Sequence, residues 1–480
     1  MATDQSGTHR RRPSRARTLV EVDDVMFLIM PMILSRADVL ALMHSRKSLY
    51  SVGISRLLTG FPVVISSPLK LASFCDFMLN FSSERKIFHF RQLSIALSKW
   101  SIREYHSTLR DFIRLLGNAV CLETIYFKDL DGWIGLNRDV QKMLLPLKQL
   151  TSLHLCEAGE KSFEIISHHS STLRSLRLDQ MGNVSAEIIS KTLSKLSRNL
   201  HQFHISQLSG AHLEGLIFLR TESLILDTPQ TLELLPLLRS FPKITSLTYY
   251  SPYVHREISE EEQFLVYSAN RLSQSQMTFT HLRHLRGDPM GLFLLGLKGH
   301  VVYLDITSYE ESNFAEFYAV FSQTQPSRLS MEMSIKNLRR TCSRLKRYLL
   351  NPSSPILTHL ALTVKFNPSD KQTLPPVIKH LLDLVQQLSL QFISIRFLWN
   401  DLPQLQKRKI SHPDPFKEHF TNFTMRTLAK ELVDGSASLK FIFLEITGLG
   451  EGLWEVERVN ETTKLVALVP DYSLQLMNKY

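Results

Sequence analysis

Cysteine is scarce. The 480 residues hold four, Cys75, Cys121, Cys156 and Cys342, and none stands in a CxxC or Cys/His ligand spacing. A disulfide scaffold and a cysteine-based zinc site are thereby excluded, and free buried thiols in a reducing compartment are expected. Long apolar runs are missing too. The longest uncharged stretch near the start, 25–34, is broken by Pro31 and is far short of the roughly 20 residues that cross a bilayer. No apolar segment of secretory type precedes the arginines at 10–17, so a cytoplasmic and/or nuclear, membrane-free protein is expected. The chain also lacks a P-loop, a dinucleotide-binding glycine fingerprint, a G-x-S-x-G elbow and an HExxH pair. His201-x-x-His204 and His281-x-x-His284 each fall on an expected strand, where residues three apart point to opposite faces. The acidic run Glu257, Glu260, Glu261 and Glu262 has no base or second carboxylate cluster set against it and reads as a solvated helix face. No catalytic residue, metal or cofactor is expected. With 44% hydrophobic and 21% charged residues, 18 Gly and 20 Pro, the composition is that of a folded globular chain.

The charge is +11, partly concentrated in Arg10-Arg11-Arg12-Pro13-Ser14-Arg15-Ala16-Arg17. Removing those five arginines and Asp4 leaves about +7 for the remainder, too dilute to form a nucleic-acid groove. The tail itself fits a solvated terminus, a nuclear address or a phosphate-binding arm.

What is abundant is a repeat. The pattern L-x-x-L-x-L is clearest at Leu150, Leu173, Leu200, Ile244, Leu357 and Leu439, and weaker from Phe90, Leu122, Thr221, Leu282, Val301, Pro326 and Leu390. From Leu122 the first five spacings are 28, 23, 27, 21 and 23 residues, and the later ones need insertions. The L-x-L core alternates with period two, as a short strand does with its leucines turned inward. The intervening segments read as amphipathic helices: within 103–116, Leu109, Phe112, Ile113 and Leu116 share one face, and Ile188, Ile189, Leu193 and Leu196 repeat the spacing. One such unit cannot bury both strand and helix, so neighbours must stack. The chain here resembles leucine-rich repeat proteins of the longer, helix-containing kind over 85–450, without their fixed asparagine. The expected fold is α/β: a curved leucine-rich repeat solenoid, parallel strands on the concave face and helices outside. An ordinary α/β domain rich in leucine is the alternative. The alternating runs at 453–459 and 465–469 predict a closing hairpin within 451–480, and the proline-broken, basic 407–415 predicts an exposed loop.

Before the repeats lie short amphipathic helices at 20–60, joined to the array by a connector at 61–84. Val25, Leu28, Ile29, Met32 and Ile33 form one stripe; Ser35 with Asp38 three residues on begins a second helix carrying Val39, Leu42, Met43 and Leu49; a third runs over 50–58, before Gly60 and Pro62. The run 22–50 resembles a divergent F-box of the kind that precedes leucine-rich repeats in fungal proteins. It has an acidic-plus-aliphatic opening, Asp38-Val39-Leu40 leading to Leu42, and Arg46-Lys47-Ser48-Leu49-Tyr50 at its end. It departs from that pattern in Glu21-Val22 where Leu-Pro is usual, in Ser45 where cysteine is frequent, in Leu49 or Tyr50 where tryptophan is usual, and in Pro31. The resemblance implies docking on the adaptor subunit of an SCF-type cullin–RING ubiquitin ligase through Val25, Ile29, Leu34, Val39, Leu40 and Leu42, with the repeats holding a protein substrate. A helical cap on the first repeat would make the same positions core.

The residues between the strand leucines face the concave side of such a solenoid: His154, Arg177, His204, Ile225, Thr248, Arg286, Asp305, Ser330, Ala361, Ser394 and Phe443. His154, Arg177, His204, His284 and Arg286 make a candidate basic face for an acidic or phosphorylated partner, ordinary solvated surface being the alternative. Arg339-Arg340, Arg344 and Lys346-Arg347 read as an exposed helix flank. Two functions follow: a non-enzymatic substrate receptor of a ubiquitin ligase, or a repeat scaffold unrelated to ubiquitin.

Overall fold

The computed structural model describes residues 25–79, 84–182, 184–206, 210–227, 232–251, 259–350, 356–366, 374–399, 425–446, 450–459 and 462–468. The expected basic tail at 1–19 and exposed loop at 407–415 lie outside them. The chain divides into two compact units, Met1–Leu200 and His201–Tyr480.

In the first unit five strands run parallel in sequence order: β1 (Val63–Ile65), β2 (Gln92–Ile95), β3 (Thr124–Lys128), β4 (Ser152–Cys156) and β5 (Ser175–Asp179). Every L-x-L core expected here is a strand, and its two alternate apolar residues are buried: Leu93 and Ile95, Ile125 and Phe127, Leu153 and Leu155, Leu176 and Leu178. Each such side chain contributes roughly 1.5–3 kcal/mol on burial. The first repeat starts earlier than the sequence suggested. Val63-Val64-Ile65 and the helix Pro68–Leu79, which buries Leu71, Cys75 and Met78, form a complete strand–helix unit inside the expected connector. The helices His106–Asn118, Glu160–His168 and Ala186–Leu196 supply the second layer. On the first of these Leu115 is fully buried, in place of the expected Ile113.

The strand exits share one backbone device. Asp129, Glu157 and Gln180, each directly after its strand, have φ of 55°, 60° and 51°. Asp129 N–H then donates to Cys156 O and Glu157 N–H to Asp179 O, so the turns hydrogen-bond from one repeat to the next. No fixed asparagine does this work; individual polar side chains do. Asp129 accepts from Gly132 N in its own helix, Leu130–Leu136, and from Lys99 N of the preceding repeat, both at 3.0 Å. Asp131 reaches the other way and accepts from Gly159 N and Lys161 N at 2.8 Å and Ser162 N at 3.2 Å, capping Glu160–His168, whose own N-cap residue Gly159 has no side chain to do so. Trp133, fully buried against Phe112 and Phe127, donates Nε1–H to Leu97 O at 3.0 Å.

The second unit continues the scheme with β6 (Gln202–Ser206), β7 (Ser223–Asp227), β8 (Ser246–Tyr250), β9 (His284–Gly287), β10 (Tyr303–Tyr309), β11 (Arg328–Ser334), β12 (His359–Phe366), β13 (Phe392–Trp399) and β14 (Phe441–Ile446), all parallel neighbours. β15 (Gly450–Val459) and β16 (Thr462–Leu468) then add antiparallel, forming the closing hairpin. Among its helices, Glu260–Gln276 begins with a capping box at Ser259 and Glu262. Its buried Asn270 accepts from Leu234 N and donates to Leu232 O and Leu294 O, at 2.8, 3.0 and 2.8 Å, tying three elements together. Consecutive parallel strands backed by helices, one repeat per strand, make each unit a leucine-rich repeat solenoid.

Candidate interaction surfaces

Residues 25–29 are helical and pass through a 3₁₀ turn, Met30–Met32, whose second residue is Pro31. The proline ends the α-helix, as a residue without an N–H must. The helix Arg36–Ser45 follows, with Ser35 accepting from Asp38 N, and then Tyr50–Gly60. A small core of Met30, Val39 and Leu49 joins them, packed by Met26, Phe27, Ile33, Leu42, Met43, Val52, Leu57 and Phe61. Gly53 admits the Met43 side chain where a Cβ would stand. The break after Met32 is held by Arg56, which donates twice to Ile33 O, at 3.1 and 2.7 Å.

Over 25–32 this core uses the side opposite the expected stripe, while Ile33 of that stripe, beyond the 3₁₀ turn, packs on it. Met30 is buried, while Val25, Leu28, Ile29, Met32 and Leu34 are 53, 75, 42, 75 and 77% exposed, and Leu40 is exposed as well. Of the six residues carried over for docking, Val25, Ile29, Leu34 and Leu40 therefore stand on the surface. Val39 is fully buried and Leu42 half-buried in the core, so these two hold the segment together and Val39 has no area to offer a partner. The third helix serves a second purpose: Ser55 meets His89 Nδ1 at 3.0 Å and Leu58 O accepts from Arg91 N, fastening the segment to the start of the repeats. Capping the array and presenting an apolar face thus fall to different helices.

On the strands, the residues between the leucines stand in register. In the first unit His154 pairs with Arg177 across β4 and β5. His154 Nε2 lies 2.7 Å from Asp179 Oδ2, Arg177 Nε donates to both Asp179 oxygens at 2.8 and 3.1 Å, and the Tyr126 ring meets the His154 ring edge-on at 4.4 Å. Burial raises the Asp179 carboxyl, but the hydrogen bonds from His154 and Arg177 outweigh it and hold the group below its ordinary range. In the second unit one row runs His204, Ile225, Thr248, Arg286, Asp305, Ser330, Ala361, Ser394, Phe443. Arg286 Nε is 3.3 Å from Asp305 Oδ2. His284, in the adjacent row, stacks on Tyr303 at 4.8 Å and meets Ser246 Oγ at 3.2 Å through Nδ1; burial pushes its pKa down, so it is neutral near pH 7. His204 is half-buried beside Ile225.

The expected basic patch is therefore less basic than the sequence implied, because Asp179 in the first unit and Asp305 in the second already hold Arg177 and Arg286. Asp179 went unnoticed because it lies two positions beyond the residue between the leucines, although the pleat puts it on the same side. The row also closes toward β14: Ala361, Ser394 and Phe443 are buried, the last in a cluster with Phe392, Phe441 and Leu453. Of the expected face residues, His154 and Arg177 in the first unit and His204, Ile225, His284, Arg286, Asp305 and Ser330 in the second are exposed or half-exposed, and Glu332, Lys365, Arg396 and Glu445 on the same side of β11 to β14 are half-exposed too. Among the described residues no group of three His, Cys, Asp or Glu side chains is placed to hold a metal, and no helix is long and apolar enough to cross a membrane.

This is a leucine-rich repeat-type α/β protein with an N-terminal helical segment. No family model and no curated protein matches it. Similar solved structures include Rad7 in its complex with Elc1 from yeast, at 11% identity over 79% of this chain and 90% of that one, TM-score 0.32. Another is the leucine-rich repeat-containing protein LegL7 from Legionella pneumophila, at 12% identity over 77% of this chain and 88% of that one, TM-score 0.29. The fold assignment rests on the strand order and burial described above.

Proposed function

We propose that the chain is a non-enzymatic substrate-recognition subunit of an SCF-type cullin–RING ubiquitin ligase. It docks on the adaptor subunit through the N-terminal helices and holds a protein target on the strand face of the repeats. The observation that carries this reading is the exposed apolar face of Val25, Leu28, Ile29, Met32, Leu34 and Leu40, set on helices that already have a core of their own. Large apolar side chains left exposed in such number within one short segment point to an interaction site. A repeat scaffold that binds a partner without ubiquitin is the second reading, since the same face would serve another protein.

The test is a pull-down of purified full-length chain with the adaptor, comparing wild type with Ile29→Asp and Leu34→Asp, with circular dichroism as a check on folding. The proposal expects adaptor capture by wild type and loss of at least tenfold in both folded variants, because a carboxylate buried without a partner is costly. Wild type that captures no adaptor leaves the scaffold reading.

A further inference from the structure

We propose that the outer face of the helix Ile335–Leu349 is a docking site for an acidic peptide segment of a partner protein. The helix buries Leu338, Thr341, Cys342 and Leu345 and turns Arg339, Arg340, Ser343 and Arg347 to solvent, with Arg344 half-buried beside them. Together with Glu311 these residues line an open basin of about 500 Å³. It lies on the helix side of the sheet, away from His284 and Arg286, and is independent of the adaptor reading.

One carboxylate already shows what the basin accepts. Arg340 Nη1 donates to both Glu311 oxygens, at 2.9 and 3.2 Å, while Arg344 Nη2 stands 3.5 Å from Glu311 Oε1 with its guanidinium 4.8 Å over the Phe314 ring. Four guanidiniums line the basin against that single carboxylate, so its positive charge is in excess. The helix dipole accounts for basic residues in the last turn, Lys346 and Arg347, but not for Arg339 and Arg340 two turns earlier. Arginine, rather than lysine, occupies every basic position of the basin, and its planar fork suits bidentate carboxylate binding.

From Arg340 to Arg347 the helix rises roughly 10 Å at 1.5 Å per residue, close to the spacing of carboxylates three residues apart in a peptide of polyproline II conformation, where they share one face at about 3.1 Å per residue. A patch of this length neutralises too few phosphates to hold a nucleic acid by backbone charge, which favours the peptide.

The experiment is a fluorescence anisotropy titration of the full chain with a labelled peptide carrying four glutamates at three-residue intervals. The parallel probe is a labelled single-stranded RNA of equal charge. Wild type is expected to bind the peptide saturably and more tightly than the RNA. The double variant Arg339→Gln/Arg347→Gln is expected to weaken peptide binding at least tenfold. Ser343→Glu, which puts a carboxylate among the guanidiniums, should weaken it to a similar degree while keeping those arginines. Peptide affinity unchanged in either variant, RNA bound more tightly than peptide, or no saturable binding up to 1 mM peptide would overturn the proposal. All three positions changed here are on the exposed side of the helix, and thermal melting verifies that the variants keep the wild-type fold.

Discussion

Asp131→Ala isolates the coupling between repeats. The carboxylate caps the helix Glu160–His168 of the next repeat through three backbone N–H groups and also accepts from Ser162 Oγ. Removing it strips this side-chain cap from a helix whose N-cap residue is Gly159. Losing a good N-cap costs about 0.5–2 kcal/mol, and losing a negative charge at a helix N-terminus about 0.3–1 more. A total near 2 kcal/mol is expected, which in a unit of this size lowers the melting midpoint by about 4–8 °C. Asp131→Asn keeps one acceptor oxygen but no charge and should fall between the two. Thermal melting gives the stability change, and hydrogen exchange gives its location: amides 159, 161 and 162 should exchange faster by more than any in 106–118. A change below about 0.5 kcal/mol, or unaltered exchange at those three amides, would refute the claim that this side chain joins the two repeats.

Asn270→Ala leaves Leu234 N, Leu232 O and Leu294 O without their partner in a buried place and should cost about 3–5 kcal/mol by denaturant titration. Leu28→Asp should leave the melting midpoint within about 2 °C of wild type while Val39→Asp abolishes the N-terminal helical signal, because the first is 75% exposed and the second fully buried. Burial, with Arg328 nearby, pushes His359 down to about 4. The unfolded imidazole takes up its proton near 6.5, so the unfolded state binds more protons between pH 6.5 and about 4 and stability falls as pH drops through that window. In His359→Gln the slope of unfolding free energy against pH should be smaller there by up to one proton; an identical slope would contradict the burial of this ring.

The strands of β2 to β14 were legible because the alternation of leucines is imposed by the pleat and survives irregular spacing. β1 was not, since three residues after Phe61-Pro62 carry no repeat leucine and are fixed only by pairing with β2. The stripe at 25–33 was legible as a stripe, but its direction was hidden. Met26, Phe27 and Met30 make the other side of the same helix equally apolar, and only packing against Val39 and Leu49 decides which side is covered. The links that Asp129 and Asp131 make to the neighbouring repeats were invisible because the backbone amides they reach there lie about 30 residues away, which no side-chain pattern announces. The balance of the strand face was misjudged for a related reason: Arg177 was counted without the aspartate two residues further on.

On the proposed reading the N-terminal helices are a docking face held ready by a core of their own. Hydrogen exchange of the full chain with and without saturating adaptor subunit tests it most directly. Adaptor-induced protection over 25–45 is expected, with no change in β3 to β5 or in β9 to β11. No protection anywhere, or protection confined to the strands, would contradict it.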